Sequence, residues 1–76
     1  MNEKTWRSIV EVLRTAIERE GDSFDYYYDA AQRTDDPELK RFLLDLAEME
    51  KDHARRLREE LERVENQRWL ESKVTC

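Results

Sequence analysis

Glycine and proline are nearly absent from this chain, with one of each among 76 residues. So few breakers point away from a sheet with many turns and away from a disordered tail, and toward long helices. Cysteine is equally scarce. Cys76 stands alone, so no internal disulfide forms and a four-cysteine iron or zinc centre is excluded. That usage is compatible with a reducing compartment. No stretch approaches ~20 apolar residues, so no span of a membrane is expected. The opening MNEKTWRSIV has neither a long apolar core nor a small-residue cleavage site. A secretory signal is therefore not expected, and the expected location is cytoplasmic. A cluster of one charge sign is missing too. Fourteen basic and nineteen acidic residues are dispersed to a net charge of −5. This argues against nucleic acid or an anionic membrane as partner, and it suits a protein that attracts cations.

What remains is helix-forming material. Charged residues make up 43% of the chain and hydrophobic ones 38%, with runs of Glu, Arg, Lys, Leu and Ala that favour helix. The one clear break is Thr34-Asp35-Asp36-Pro37. Asp36, Pro37 and Glu38 read as an N-cap, a proline at the first helical position and an acidic first turn. The reading is a single domain over 1–76, with helix 1 over about 3–33, a turn at 34–36 and helix 2 over about 37–68. Asn66-Gln67 marks the expected end of helix 2, leaving Trp69, Leu70 and Val74 in a short tail that docks, mediates assembly or frays. A connection this short makes the helices antiparallel neighbours, each ~45 Å long.

Helix 1 carries Trp6, Ile9, Val10, Leu13, Ala16, Ile17, Phe24, Tyr27, Tyr28 and Ala31 at helical spacing; helix 2 carries Leu39, Phe42, Leu43, Leu46, Leu57, Leu61 and Val64. Two helices cannot cover both stripes, and a chain this short has little core to spare. The expected fold is therefore all-α: an antiparallel two-helix hairpin that dimerises into a four-helix bundle.

Three polar residues interrupt the stripes. Trp6, Leu13, Glu20 and Tyr27 recur in sevens, so Glu20 stands where an apolar residue belongs. In helix 2, Glu50 and His53 fall on the line of Leu39, Leu43, Leu46 and Leu57. Unpaired carboxylates in a core are costly, and either a metal ion or a salt bridge would satisfy them. Arg19 is adjacent to Glu20 for the second purpose, and a lone histidine on an apolar face is often only a hydrogen-bonded core residue. Taking Asp35 as the turn, Glu20 lies fifteen residues before it and Glu50 fifteen after, so they reach one height. His53 is a turn from Glu50 on the same face. A two-fold would make the three into four carboxylates and two imidazoles, the donor set of di-iron and di-manganese carboxylate bundles. Such donors suit Fe(II), with Mn(II) or Zn(II) as substitutes. Tyr27 is either a partner of a ligand carboxylate or a core aromatic. Gly21, inside helix 1, costs ~1 kcal/mol relative to alanine and permits a close approach or a local bulge.

These residues resemble a known family. The segments Ala16-Ile17-Glu18-Arg19-Glu20, Phe24, Tyr27, Ala30-Ala31, Asp36-Pro37-Glu38-Leu39-Lys40 and Leu46-Ala47-Glu48-Met49-Glu50-Lys51-Asp52-His53-Ala54 are similar to the rubrerythrin branch of the ferritin-like superfamily. The likeness covers residues 16 to about 61. It implies a ferritin-like bundle with Glu20, Glu50 and His53 as metal ligands and Tyr27 beside them. A complete rubrerythrin has two helix pairs and often a four-cysteine rubredoxin-type domain, whereas this chain has one pair and one cysteine. The half-bundle is instead similar to the encapsulated ferritins. The resemblance thus implies a ferroxidase that stores or detoxifies iron as a homodimer or higher homo-oligomer, inside an encapsulin shell. Glu71-Ser72-Lys73-Val74-Thr75-Cys76 carries no recognisable shell-targeting extension. Two other expectations stand beside it: peroxide reduction at the same site, and a metal-free structural dimerisation module whose three polar residues set register.

Overall fold

The computed structural model describes residues 1–74, with side chains described as far as Gln67. It contains two helices, α1 over Glu3–Arg33 and α2 over Pro37–Val74, packed side by side in a rod of 61 × 16 × 13 Å.

Local chemistry sets each boundary. At the start of α1, the Asn2 side-chain oxygen accepts from the Thr5 backbone N–H at 2.8 Å, satisfying one of the free donors of the first turn. The turn is built the same way. Thr34 leaves the helix in an extended conformation, and its hydroxyl accepts from the Asp36 N–H at 3.2 Å. The Asp36 carboxylate then caps α2, accepting from Glu38 N–H at 3.1 Å and Leu39 N–H at 3.4 Å. Pro37 supplies the first residue of α2, where its missing N–H is no loss.

The far end of α2 departs from the sequence pattern. The helix runs through Asn66-Gln67 to Val74 rather than ending near position 68. No glycine stands there to adopt the left-handed conformation of a helix stop, and no described residue has a positive φ. The expectations for the side chains of Trp69 and Leu70, and for Cys76, lie outside the described residues.

The two helices meet through small side chains. Val10, Ala31, Ala47, Ala54 and Val64 are buried between them, and among the described residues no large side chain is completely enclosed. Three alanines in the seam let the backbones approach closely but bury little apolar area. At the open end of the hairpin the Trp6 indole N–H donates to the Val64 carbonyl at 3.3 Å, and Arg14 pairs with Glu65 at 3.3 Å. Much of the larger apolar material lies outside this seam. Ile9 and Val12 on α1, and Leu39, Phe42 and Met49 on α2, are exposed. Leu39, Phe42, Leu46, Met49 and His53 follow one another at steps of three and four, which is the spacing of a second helix-packing seam.

Candidate metal centre

Glu20 projects from the middle of α1, while Glu50 and His53 lie one turn apart on α2. Because the chain reverses at 34–36, equal rise along the two helices brings Glu20 and Glu50 level. His53 Nδ1 stands 3.6 Å from Glu20 Oε2 and 3.8 Å from Glu50 Oε2. One donor atom from each of the three lies within 4.8 Å of the others.

The stripe pattern puts all three on a buried line, and the hairpin does not. The side chains of Glu20, Glu50 and His53 keep 23%, 19% and 45% of their accessible surface, and no polar residue is fully buried among those described. They stand where the alanine-rich seam between α1 and α2 borders the exposed apolar seam. One face of the group looks into the hairpin and the other looks out.

The separations within the group are informative. Both imidazole-to-carboxylate distances exceed the 2.7–3.2 Å of a good N–H···O hydrogen bond. They match instead the ~3–4 Å between two donors of one transition-metal ion, each ~2.1 Å from it. Glu20 Oε2 is buried and has no hydrogen-bond partner. A carboxylate oxygen taken out of water without a partner is unfavourable, and a cation would satisfy it. The salt-bridge alternative with Arg19 is not realised, since among the described residues His53 is the one ion-pair partner of Glu20. The three side chains fit a divalent ion by donor type, spacing and unmet bonding capacity.

Tyr27 lies on α1 seven residues beyond Glu20. It is half-buried and packs edge-on against Tyr26, with ring centroids 5.7 Å apart. Asp52, beside His53, is engaged elsewhere. The Arg55 guanidinium, hydrogen-bonded to it at 2.9 Å, holds its carboxyl below the ordinary aspartate range. Asp52 in turn raises the Arg55 guanidinium.

Behind the ligand group, on the side away from the exposed seam, lies a groove that sequence reasoning missed except for Gly21. The Lys51 ammonium sits there, 5.2 Å above the Phe24 ring and 3.9 Å from Glu48 Oε2. Phe24 also stacks on Tyr28, with ring centroids 5.6 Å apart.

No helix among the described residues is long and apolar enough to cross a membrane. Searches of curated proteins and of solved structures found no match to the chain. A family model described as rubrerythrin matches residues 4–74. That match takes in both helices and all of Glu20, Glu50 and His53, and the chain belongs to the rubrerythrin family of the ferritin-like di-iron superfamily.

Proposed function

We propose that two copies of this hairpin join along their exposed apolar seams, and that the pair oxidises Fe(II) to Fe(III) at a site built from both. The observation that carries the reading is the buried, unpartnered Glu20 Oε2, which faces Glu50 and His53 at distances too long for hydrogen bonds. Family membership supports the iron chemistry.

The need for a second copy follows from what one hairpin leaves uncovered. Phe42 and Met49 keep 57% and 53% of their surface, and both lie on the same seam as His53. Burying the remaining half of such side chains against a like surface is worth ~1 kcal/mol each. Two-fold pairing would then bring two sets of donors together at mid-height.

Charge bookkeeping suggests how the residues work. Two copies contribute four carboxylates, enough to neutralise two Fe(II) ions, and the two imidazoles bind without adding charge. Glu50 would be shared by the two ions, while Glu20 and His53 would each hold one. The substrate irons each give up one electron. Molecular oxygen takes both, together with two protons, and leaves as hydrogen peroxide. The resulting ferric pair carries more positive charge than the four carboxylates balance, which favours deprotonation of bound water and departure of the product. Tyr27, packed against Tyr26, would shape the wall of the bundle rather than act on iron.

Peroxide as oxidant is a second reading, favoured by membership of the rubrerythrin family. It uses the same three residues and differs in the co-substrate, so rates with O₂ and with hydrogen peroxide separate the two. Among the described residues nothing supports the encapsulin shell that the resemblance implied, and the proposed reaction needs none.

The test is an anaerobic Fe(II) titration of metal-free protein with its mass followed by sedimentation, then admission of air. Saturation at about one iron per chain, by a dimer or larger assembly, with rapid growth of ferric absorbance, is the expected result. Absence of stoichiometric binding would leave the three residues as a metal-free polar network.

A further inference from the structure

Gly21 has no conformational reason to be glycine. It lies inside a continuous α-helix and its φ is not positive. It is not there for close packing within the hairpin either, because a β-carbon built on it meets nothing within 4 Å. Within the hairpin, neither a bulge nor a close approach occurs at Gly21. Alanine would be the better helix former at this position.

What the missing side chain leaves is space. Gly21 lines a groove of about 570 Å³ between α1 and α2, along whose wall Phe24, Asp25, Glu48 and Lys51 also lie. Glu20 and Glu50 line the same groove. Glu20 further lines a second opening, with His53, Arg56 and Leu57, on the side of the exposed apolar seam. Glu20 also lines a third opening along α1, with Val12, Thr15 and Ala16, so the ligand carboxylate is reachable from three sides. Covering the seam with a second copy closes the His53 side and leaves the Gly21 side open.

Three basic side chains line the groove, Lys51, Arg55 and Arg58, and Arg55 is paired with Asp52 and Glu59. The Lys51 ammonium is held by Glu48 and by the face of Phe24. Both holds are weak at an exposed position, so the side chain can swing clear. While in place, its charge opposes that of an arriving metal ion.

We propose that divalent cations reach Glu20 and Glu50 through the groove over Gly21, and that Lys51 guards its mouth as a tethered competing charge. The inference rests on the two-copy site described above. Glycine is used at position 21 because any side chain there narrows the path. Lys51 slows entry without binding the metal, so it is a positioning and gating residue rather than a ligand.

Stopped-flow binding of Co(II), followed by its visible absorbance at protein concentrations where the assembly is complete, tests this without iron oxidation. Gly21→Leu keeps the helix, as circular dichroism would confirm. It is expected to slow both association and dissociation several-fold while leaving equilibrium affinity unchanged. Lys51→Gln is expected to speed association at low ionic strength, on the order of tenfold, with the difference shrinking as salt is added. Lys51→Arg should behave as the parent. Parent-like rates in Gly21→Leu, or an affinity lost by the same factor as the rate, would overturn the path. Parent-like rates in Lys51→Gln would overturn the guard. Failure of the parent protein to bind Co(II) at all would instead overturn the two-copy metal site, and the path with it.

Discussion

The open end of the hairpin and its middle are built from the same two helices and treat polar groups in opposite ways. At the end, Val10 and Val64 are buried, the Trp6 indole finds the Val64 carbonyl, and Arg14 finds Glu65. In the middle, Glu20 Oε2 is buried without a hydrogen-bond partner, His53 stands beyond hydrogen-bond distance from both carboxylates, and Gly21 leaves a gap. The end satisfies what it buries and holds the helices together. The middle leaves bonding capacity unspent, and that unspent capacity is what a metal ion can use.

Substitutions that separate these two regions put the contrast to the test. The largest effect is expected in the middle. Glu50→Ala or His53→Ala should reduce iron oxidation to the rate of free iron in buffer while helix content by circular dichroism stays near that of the parent. Rapid oxidation surviving in both variants would remove the site assignment. Next comes the face that the middle shares with the exposed seam. Phe42→Asp places a charge in the proposed contact between copies and should yield monomers by sedimentation, with iron oxidation lost along with the assembly. A dimer of undiminished strength would mean that copies associate elsewhere or that the hairpin acts alone.

A smaller effect is expected at the sealed end. Trp6→Phe keeps an aromatic ring but loses the indole donor to the Val64 carbonyl and part of the ring's contact area, at about 1–2 kcal/mol. Thermal melting should register that loss and iron oxidation should not. A variant that melts normally but oxidises slowly would show that the end and the middle are coupled. The smallest effect concerns the exposed Asp52–Arg55 pair. The folded-state carboxyl of Asp52 lies below its ordinary value of 3.8, so its contribution to stability is present above that pH and fades as pH falls through the folded value. Asp52→Asn should therefore melt slightly below the parent at neutral pH, and the two curves should converge in acid. A gap that persists at low pH would point to a role for Asp52 other than this ion pair.

Much of the site was legible in the sequence because helical geometry is regular. The 15-residue arms on either side of Asp35 were enough to bring Glu20 and Glu50 level, and the three-residue step was enough to put His53 beside them. Periodicity is a weaker guide to depth. A residue on the apolar line is buried only if something lies across from it, and for His53, Leu39, Phe42 and Met49 that something is absent from a single hairpin. The end of α2 was misplaced for a related reason. Asn66-Gln67 resembles a stop, yet it lacks the glycine that would terminate the backbone, and the helix continues to Val74.

By itself, then, the sequence determined the two helices, the capped reversal at 34–36 and the level at which three donors meet. Those follow from local hydrogen bonding, proline geometry and a constant rise per residue, none of which needs a distant contact. Only the tertiary structure decided that Glu20 Oε2 goes without a hydrogen-bond partner and that Gly21 lies in a groove beside Lys51. Each of these depends on what the opposite helix places within a few ångströms, and spacing along one chain carries no information about that.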